Sequence, residues 1–416
     1  MQTNKTHEIV DDAEIQNLLA KFNSPLFIVS DKIIREKYQK LKDTLCSSYP
    51  NSQIAYSFKT NYLPKICNIL KDCRAYAEVA SGFEYWLAKK IGFPGNEIIF
   101  NGPYKKDDEL LNAFHDRCIL NVDNYFELNR IEEISKSHSL KPRIGLRVNL
   151  NYSRTGSLPW NRFGFNIESG EAMIICSKFK KEFNNFDMAG LQMHLGTNIC
   201  DTTVYRSAVG KIVDFIVDIK KKLGIKIDYI DVGGGFAVYG NKLKTVAEEN
   251  IPSVQDYVDA VVHPVLKKLE YKPLLIFEPG RFLVAEAMTL FTKVISKKEI
   301  NGVSTVTVDS STGILREASF IDFRISAVNN ENNFISPTTV FGSLCAQADI
   351  LGHANLPRLE IGDILAFHGV GAYSLPRSSQ WIFPRPAVVL IKHNGASELI
   401  KKAESYEDMV MLDYFS

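Results

Sequence analysis

The stretch Ile54-Ala55-Tyr56-Ser57-Phe58-Lys59-Thr60-Asn61 decides how this chain is read. Its first five residues are apolar or small and fit a strand buried on both faces. A lysine then closes the strand, ahead of the polar Thr60 and Asn61. Lysine is among the residues least often buried, so one in this position has two readings. Either its ammonium snorkels from the strand end to water, or its amine sits in a partly dry pocket as a nucleophile toward a carbonyl.

Beyond Lys59, short apolar runs alternate with amphipathic helical patterns. The runs expected as strands are 54–58, 75–79, 97–101, 118–122, 143–149, 187–196, 227–232 and 274–278. Helical patterns lie between them, at 82–91, 106–115, 125–136 and 204–223. Strands alternating with helices mean a parallel sheet with right-handed crossovers. Eight such units over about 250 residues match a (β/α)8 TIM-type barrel, with a doubly wound open sheet as the alternative. In a barrel the chemistry sits at the C-terminal ends of the strands, which is where Lys59 falls.

The rhythm changes after Phe282. Segments 292–295, 304–308, 364–367 and 387–392 are β-rich and separated by Gly, Pro and Asn turns. The expected organisation is a barrel over 31–282 and a mostly antiparallel C-terminal β domain over 283–416. Residues 1–30 contribute to the second domain through the extended run 25–30.

Composition excludes several classes of function. The 416 residues are 45% hydrophobic and 23% charged with a formal charge of +1, which gives no argument for nucleic acid or membrane-surface partners. The seven cysteines lack CxxC spacing and zinc-finger histidines, so the expectation is a reduced, cytoplasmic protein without disulfides or metal. Residues 1–12 are polar and show no signal peptide, and no apolar run is long enough for a bilayer.

Two glycine signals follow the last two expected barrel strands. Asp231-Val232-Gly233-Gly234-Gly235-Phe236 reads either as a flexible turn or as a loop whose bare backbone N–H groups converge on an anion. Glu278-Pro279-Gly280-Arg281 adds a planar, permanently charged fork, and loops after strands seven and eight are the usual phosphate site of this fold. Glu278 suits a ring nitrogen that needs a proton. His194, in Gln192-Met193-His194-Leu195-Gly196-Thr197, could stack its flat ring on a cofactor, although a lone histidine is more often structural.

These pieces together describe a site for pyridoxal 5′-phosphate (PLP), and the chain resembles the fold type III PLP-dependent decarboxylases, the family of diaminopimelate, ornithine and arginine decarboxylases. AYSFKTN, EVASGFEY, FNGPYK, RVN, RFGF, HLGT, DVGGGF, EPGR, GSLCAQAD and GAYS occur in the family's order, nearly end to end. The resemblance implies that Lys59 holds the cofactor covalently, His194 stacks on its ring and Glu278 pairs with the ring nitrogen. Thr197, Gly233, Gly234, Gly235, Arg281 and Tyr373 would surround the phosphate. Cys345 would reach into the other subunit of a homodimer with shared active sites and supply a proton; its bland reading is a buried small hydrophobe. Arg162 and Asp349 match a lysine and an aspartate that meet across the family's dimer.

The departures bear on substrate. Where the family has Glu or Asp after the cysteine, holding a distal ammonium, this chain has Ala346. The family's distal-carboxylate run Arg-Pro-Ala-any-Tyr appears as Arg316-Glu317-Ala318-Ser319-Phe320. A buried unpaired ammonium is costly, so the substrate expected is a modified or conjugated amino acid of siderophore or secondary-metabolite type. Glu317 is a possible replacement acid. The first alternative is meso-diaminopimelate decarboxylation in lysine biosynthesis. An alanine-racemase-like enzyme is disfavoured by Glu278, since that family puts an arginine on the ring nitrogen. A catalytically inactive regulatory homologue is disfavoured by the intact lysine and phosphate loop.

Overall fold

The structure, a computed structural model, describes residues 9–152, 161–179, 181–244, 250–328 and 335–415. The chain divides into two units. One comprises Lys37–Ala237 and Glu249–Phe282, the other Met1–Glu36, Val238–Glu248 and Leu283–Ser416.

The first unit is a closed parallel barrel. Its strands in chain order are Ser52–Ser57, Tyr76–Val79, Ile98–Phe100, Ile119–Val122, Arg143–Asn149, Asp187–Gln192, Tyr229–Asp231 and Leu274–Phe277. Each pairs in parallel with the next, and the last pairs with the first through Leu275↔Ser52 and Phe277↔Ile54. The open doubly wound sheet is thereby excluded. The intervening helices start on side-chain caps: Ser81 accepts from Glu84 N–H before Gly82–Ile91, and Asn124 from Glu127 N–H before Tyr125–Ser137.

Inside the barrel, Ala55, Ile99, Ala189, Tyr229 and Ile276 form a buried layer. Tyr229 fills the space that Gly145 and Gly190 leave. A Cβ at Gly190 would stand 2.2 Å from its ring, and one at Gly145 2.1 Å from its hydroxyl. The ring closes the apolar floor, and its hydroxyl donates to Asn121 Oδ1 at 2.8 Å, the first polar contact above it.

The second unit is built on a curled, mostly antiparallel sheet. Its order is Asn241–Leu243, Ile321–Val328, Ile364–His368, Met288–Ile300, Leu26–Ser30, Ala387–Ile391 and Ser397–Lys401. The long strand Met288–Ile300 also carries Val303–Val308, which continues through Ile335–Phe341 to Ile350–Pro357. Leu26, Ile28, Phe291, Ala366 and Val389 form its apolar core with Ile15, Leu18 and Leu19 from the helix Asp12–Phe22.

One boundary differs from the sequence expectation of a barrel over 31–282. Val238–Glu248 belongs to the β-rich unit, where Asn241–Leu243 pairs antiparallel with Ile321–Phe323 and Asn241 Nδ2 donates to Gly369 O at 2.9 Å. A three-residue strand paired with the distant Ile321–Phe323 leaves no local periodicity to read. Asp31–Glu36, the first residues of a helix that runs to Ser48, also belong to that unit.

Candidate active site

Lys59 lies on a single 3-10 turn, Phe58–Thr60, one residue past the strand Ser52–Ser57. Phe58 and Thr60 are buried on either side, so the turn is held while the lysine side chain keeps 40% exposure. Its Nζ meets Glu78 Oε2 at 2.5 Å, and the Glu78 side chain is fully buried at the next strand's end.

From Glu78 a polar network crosses the strand ends. Asn101 Nδ2 lies 3.1 Å from Glu78 Oε1 and 2.7 Å from Glu278 Oε1, bridging the two carboxyl groups. Asn121 Nδ2 donates to Asn101 Oδ1 at 2.8 Å and links the network to Tyr229 below. Asp231 Oδ1 accepts from Gly233 N–H at 2.9 Å, which turns the glycine loop out of its strand.

The same network separates the acids electrically. Burial pushes Glu78 up, but the Lys59 charge and hydrogen bonds from Lys59, Ser57 and Asn101 outweigh it and hold the carboxyl below its usual range. Glu278 goes the other way, well above its usual range, through burial and then the charges of Asp231 and Glu78. Asp231 is pushed up to about 7, mainly by burial. Glu278 is thus a carboxyl group that holds a proton it can share. His194 is pushed down to about 3 by burial and by the charges of Lys59 and Arg147, so its imidazole is neutral at physiological pH. His194 Nδ1 accepts from Gly234 N–H at 3.4 Å.

Three loops close on one another at the glycine run. A Cβ on Gly233, at φ +68°, would stand 2.5 Å from Met193 O; one on Gly234 would stand 2.1 Å from Glu278 O. On Gly235, at φ +102°, it would stand 2.3 Å from Gly196 O. Only glycine lets the backbone approach this closely, so the loops after strands six, seven and eight meet as bare main chain. Thr197 is half-buried beside them and Arg281 is 7% exposed. A half-exposed amine, an acid with a raised pKa, a neutral flat imidazole and a side-chain-free loop with a buried arginine fit pyridoxal phosphate. They match its aldehyde, ring nitrogen, ring face and phosphate in turn.

Sequence reading missed Glu78, Asn101, Asn121, Asp231 and Arg147 as members of this site. Each is a polar residue in or just after a short barrel strand, and that position was the available signal.

In the β-rich unit, Cys345 is exposed and Ala346 half-buried. Asp349, expected to meet Arg162 across a dimer, is 2% exposed and already satisfied within its own loops. Its Oδ1 accepts from Thr312 N–H and hydroxyl, both at 2.7 Å, and its Oδ2 from Leu344 N–H at 2.8 Å. These bonds tie the Cys345 loop to Thr312. Arg162, in the barrel unit, is exposed and stacks 4.8 Å from the Phe163 ring centroid. Tyr373 holds a left-handed backbone at φ 64°. Arg316 is exposed, while Glu317 is buried and paired with Arg377, so it does not stand open for a substrate ammonium.

A lysine-bearing parallel barrel with this donor set defines a PLP enzyme. Residues 32–285 match the family described as "Pyridoxal-dependent decarboxylase, pyridoxal binding domain", and the chain belongs to that family. It is a PLP-dependent carboxy-lyase acting in amino-acid metabolism. The diaminopimelate decarboxylase of Methanocaldococcus jannaschii is 30% identical, the match covering 97% of this chain and 94% of the relative. That of Aquifex aeolicus is 29% identical over 96% and 94%. The crystal structure of the M. jannaschii enzyme in complex with L-lysine superposes with a TM-score of 0.87 at 29% identity, covering 96% of this chain and 94% of that one. Among the described residues, no helix is long and apolar enough to cross a membrane.

Proposed function

We propose that this chain removes the carboxylate of diaminopimelate, or of an amino acid closely like it. The observation that carries the reading is likeness over 97% and 96% of this chain, and 94% of each relative, to proteins named diaminopimelate decarboxylase. This reverses the order drawn from sequence, which set a conjugated amino acid first. That second reading is still favoured by one observation: Ala346 offers no charge to a distal ammonium.

Bound pyridoxal phosphate supplies an electron sink for the pair released as carbon dioxide departs. Lys59 would be the amine that holds it. Glu278, whose carboxyl holds a proton well above the usual range, shares that proton with the ring nitrogen. His194, neutral and flat, would offer its ring to the cofactor without adding a charge. Gly233, Gly234, Gly235, Thr197 and Arg281 would hold its phosphate, and the family resemblance adds Tyr373. Cys345 returns a proton to the α-carbon from the other subunit of a homodimer.

Carbon dioxide release should be measured against diaminopimelate, lysine, ornithine, arginine and amide conjugates of diamino acids. Selective turnover of diaminopimelate supports the first reading. Turnover of a conjugate with diaminopimelate ignored transfers it to the second. No release from any of them rejects both.

A further inference from the structure

A hydrogen-bonded chain runs from the barrel floor to two carboxyl groups at the strand ends. The Tyr229 hydroxyl donates to Asn121 Oδ1 at 2.8 Å, and Asn121 Nδ2 to Asn101 Oδ1 at 2.8 Å. Asn101 Nδ2 then donates to Glu278 Oε1 at 2.7 Å and to Glu78 Oε1 at 3.1 Å. All five residues are buried.

A side-chain amide can turn either its oxygen or its nitrogen toward an acid. The Lys59–Glu78 pair decides which. Glu78 meets Lys59 Nζ at 2.5 Å and is held below its usual range, so it is ionised, and an ionised carboxylate only accepts. Asn101 must therefore give its nitrogen to Glu78. Its oxygen must then accept from Asn121, and Tyr229 must donate. Every link points one way, from Tyr229 to the acids. The two N–H groups of Asn101 are spent, one on each carboxyl.

The consequence falls on Glu278. Its Oε1 accepts an N–H, which leaves its proton to the other oxygen. That N–H bond strengthens once the proton has gone, because a charged acceptor makes the stronger bond. The charged groups acting on Glu278 divide two against two: Asp231 and Glu78 oppose its ionisation, while Lys59 and Arg147 favour it. Asn101 favours ionisation without bringing a charge of its own.

We infer that Asn101 is the positioning residue that lets Glu278 give its proton to the cofactor's ring nitrogen, and that Asn121 and Tyr229 hold Asn101 in the orientation this requires. The proton passes to the nitrogen lone pair, and the O–H electron pair stays on Glu278 as carboxylate charge. The inference rests on the reading of Glu278 as the acid for that nitrogen. It makes proton delivery depend on a tyrosine in the barrel floor, two side chains away from the acid.

The test strips the full chain of cofactor and measures dissociation constants for pyridoxal phosphate and for its 1-deaza analogue, in which C–H replaces the ring nitrogen. The wild type should prefer pyridoxal phosphate. Asn101→Ala should cut that preference about tenfold or more, the worth of one hydrogen bond to a charged group, while affinity for the analogue holds. Asn121→Leu frees Asn101 to turn its oxygen to the acids. It should lose a smaller part of the preference, and it serves as the test if Asn101→Ala does not fold. Tyr229→Phe keeps the ring that packs against Gly190 and removes only the hydroxyl, so its loss should be the smallest of the three. Equal weakening of both ligands in Asn101→Ala, or an unchanged preference in Asn101→Ala or Asn121→Leu, overturns the inference. Glu278→Gln separates the two readings. If it keeps the preference, or the wild type has none, Glu278 does not serve the ring nitrogen and the inference falls with that reading. If it loses the preference while Asn101→Ala keeps it, the inference alone fails.

Discussion

Two lysines of the barrel each face a buried glutamate, and they have opposite characters. Lys59 Nζ meets Glu78 at 2.5 Å and keeps 40% of its side chain exposed. Lys105 Nζ meets Glu127 at 2.7 Å with its side chain fully buried. Lys105 also donates to Gly102 O at 2.9 Å and Asn121 O at 3.1 Å, so all three ammonium hydrogens have acceptors within the protein. An ammonium sealed on three sides is a structural bolt. One with a carboxylate on one side and an open approach on another can exchange partners. Ion pairing therefore does not distinguish a reactive lysine from a structural one; exposure does.

The sharpest way to break this contrast is to remove each amine. Lys59→Ala should lower carbon dioxide release by roughly three orders of magnitude or more while circular dichroism stays unchanged. Borohydride should fix the cofactor on Lys59 in the wild type, and label found on Lys105 would reverse the assignment. Lys105→Met should do the opposite. It leaves Glu127 buried without its cation, so unfolding free energy in urea should drop by about 3–5 kcal/mol, with activity per folded molecule largely kept.

A smaller effect tests the acid side of the Lys59 pair. Glu78→Gln removes the anion that favours the charged amine. The acid limb of cofactor uptake by apo-protein should move to lower pH, with a roughly ten- to hundredfold slower turnover, since positioned charge-assisted contacts are worth about 1.5–3 kcal/mol. An unshifted limb would mean that Glu78 is only packing.

The smallest effect concerns Glu84, 6% exposed, whose carboxylate accepts from Ala80 N–H. Burial, then the Glu78 charge, push it from 4.5 up to about 7. The folded chain thus keeps a proton that the unfolded chain releases over that range. The stabilisation is full below about pH 4 and is lost as pH rises to about 7. Glu84→Gln stays neutral throughout, so its melting temperature should fall less than the wild type's between pH 5 and 7.5. Parallel curves would remove Glu84 from the pH response.

Much of the barrel was legible from local pattern. The segments 82–91 and 143–149 form a helix and a strand over those very residues, because caps and apolar runs act within a few residues. Lys59, His194, Glu278 and the glycine run stand at strand ends of the barrel, where ordered motifs pointed to them. The bond between Asn241–Leu243 and Ile321–Phe323 was not legible, because it joins distant chain with no periodicity of its own.

Local pattern specified eight strand–helix units, and motifs in the family's order specified the family to which the chain belongs. The tertiary structure decided the roles of the acids. Glu78, Asp231 and Glu278 are alike as residues, and their pKa values part only because closure of the barrel buries them together around one amine and one asparagine. It likewise turned Glu317 from a candidate substrate ligand into the anchor of Arg377. Desolvation and charge depend on what surrounds a group in space, and that environment is assembled from strand ends far apart in sequence.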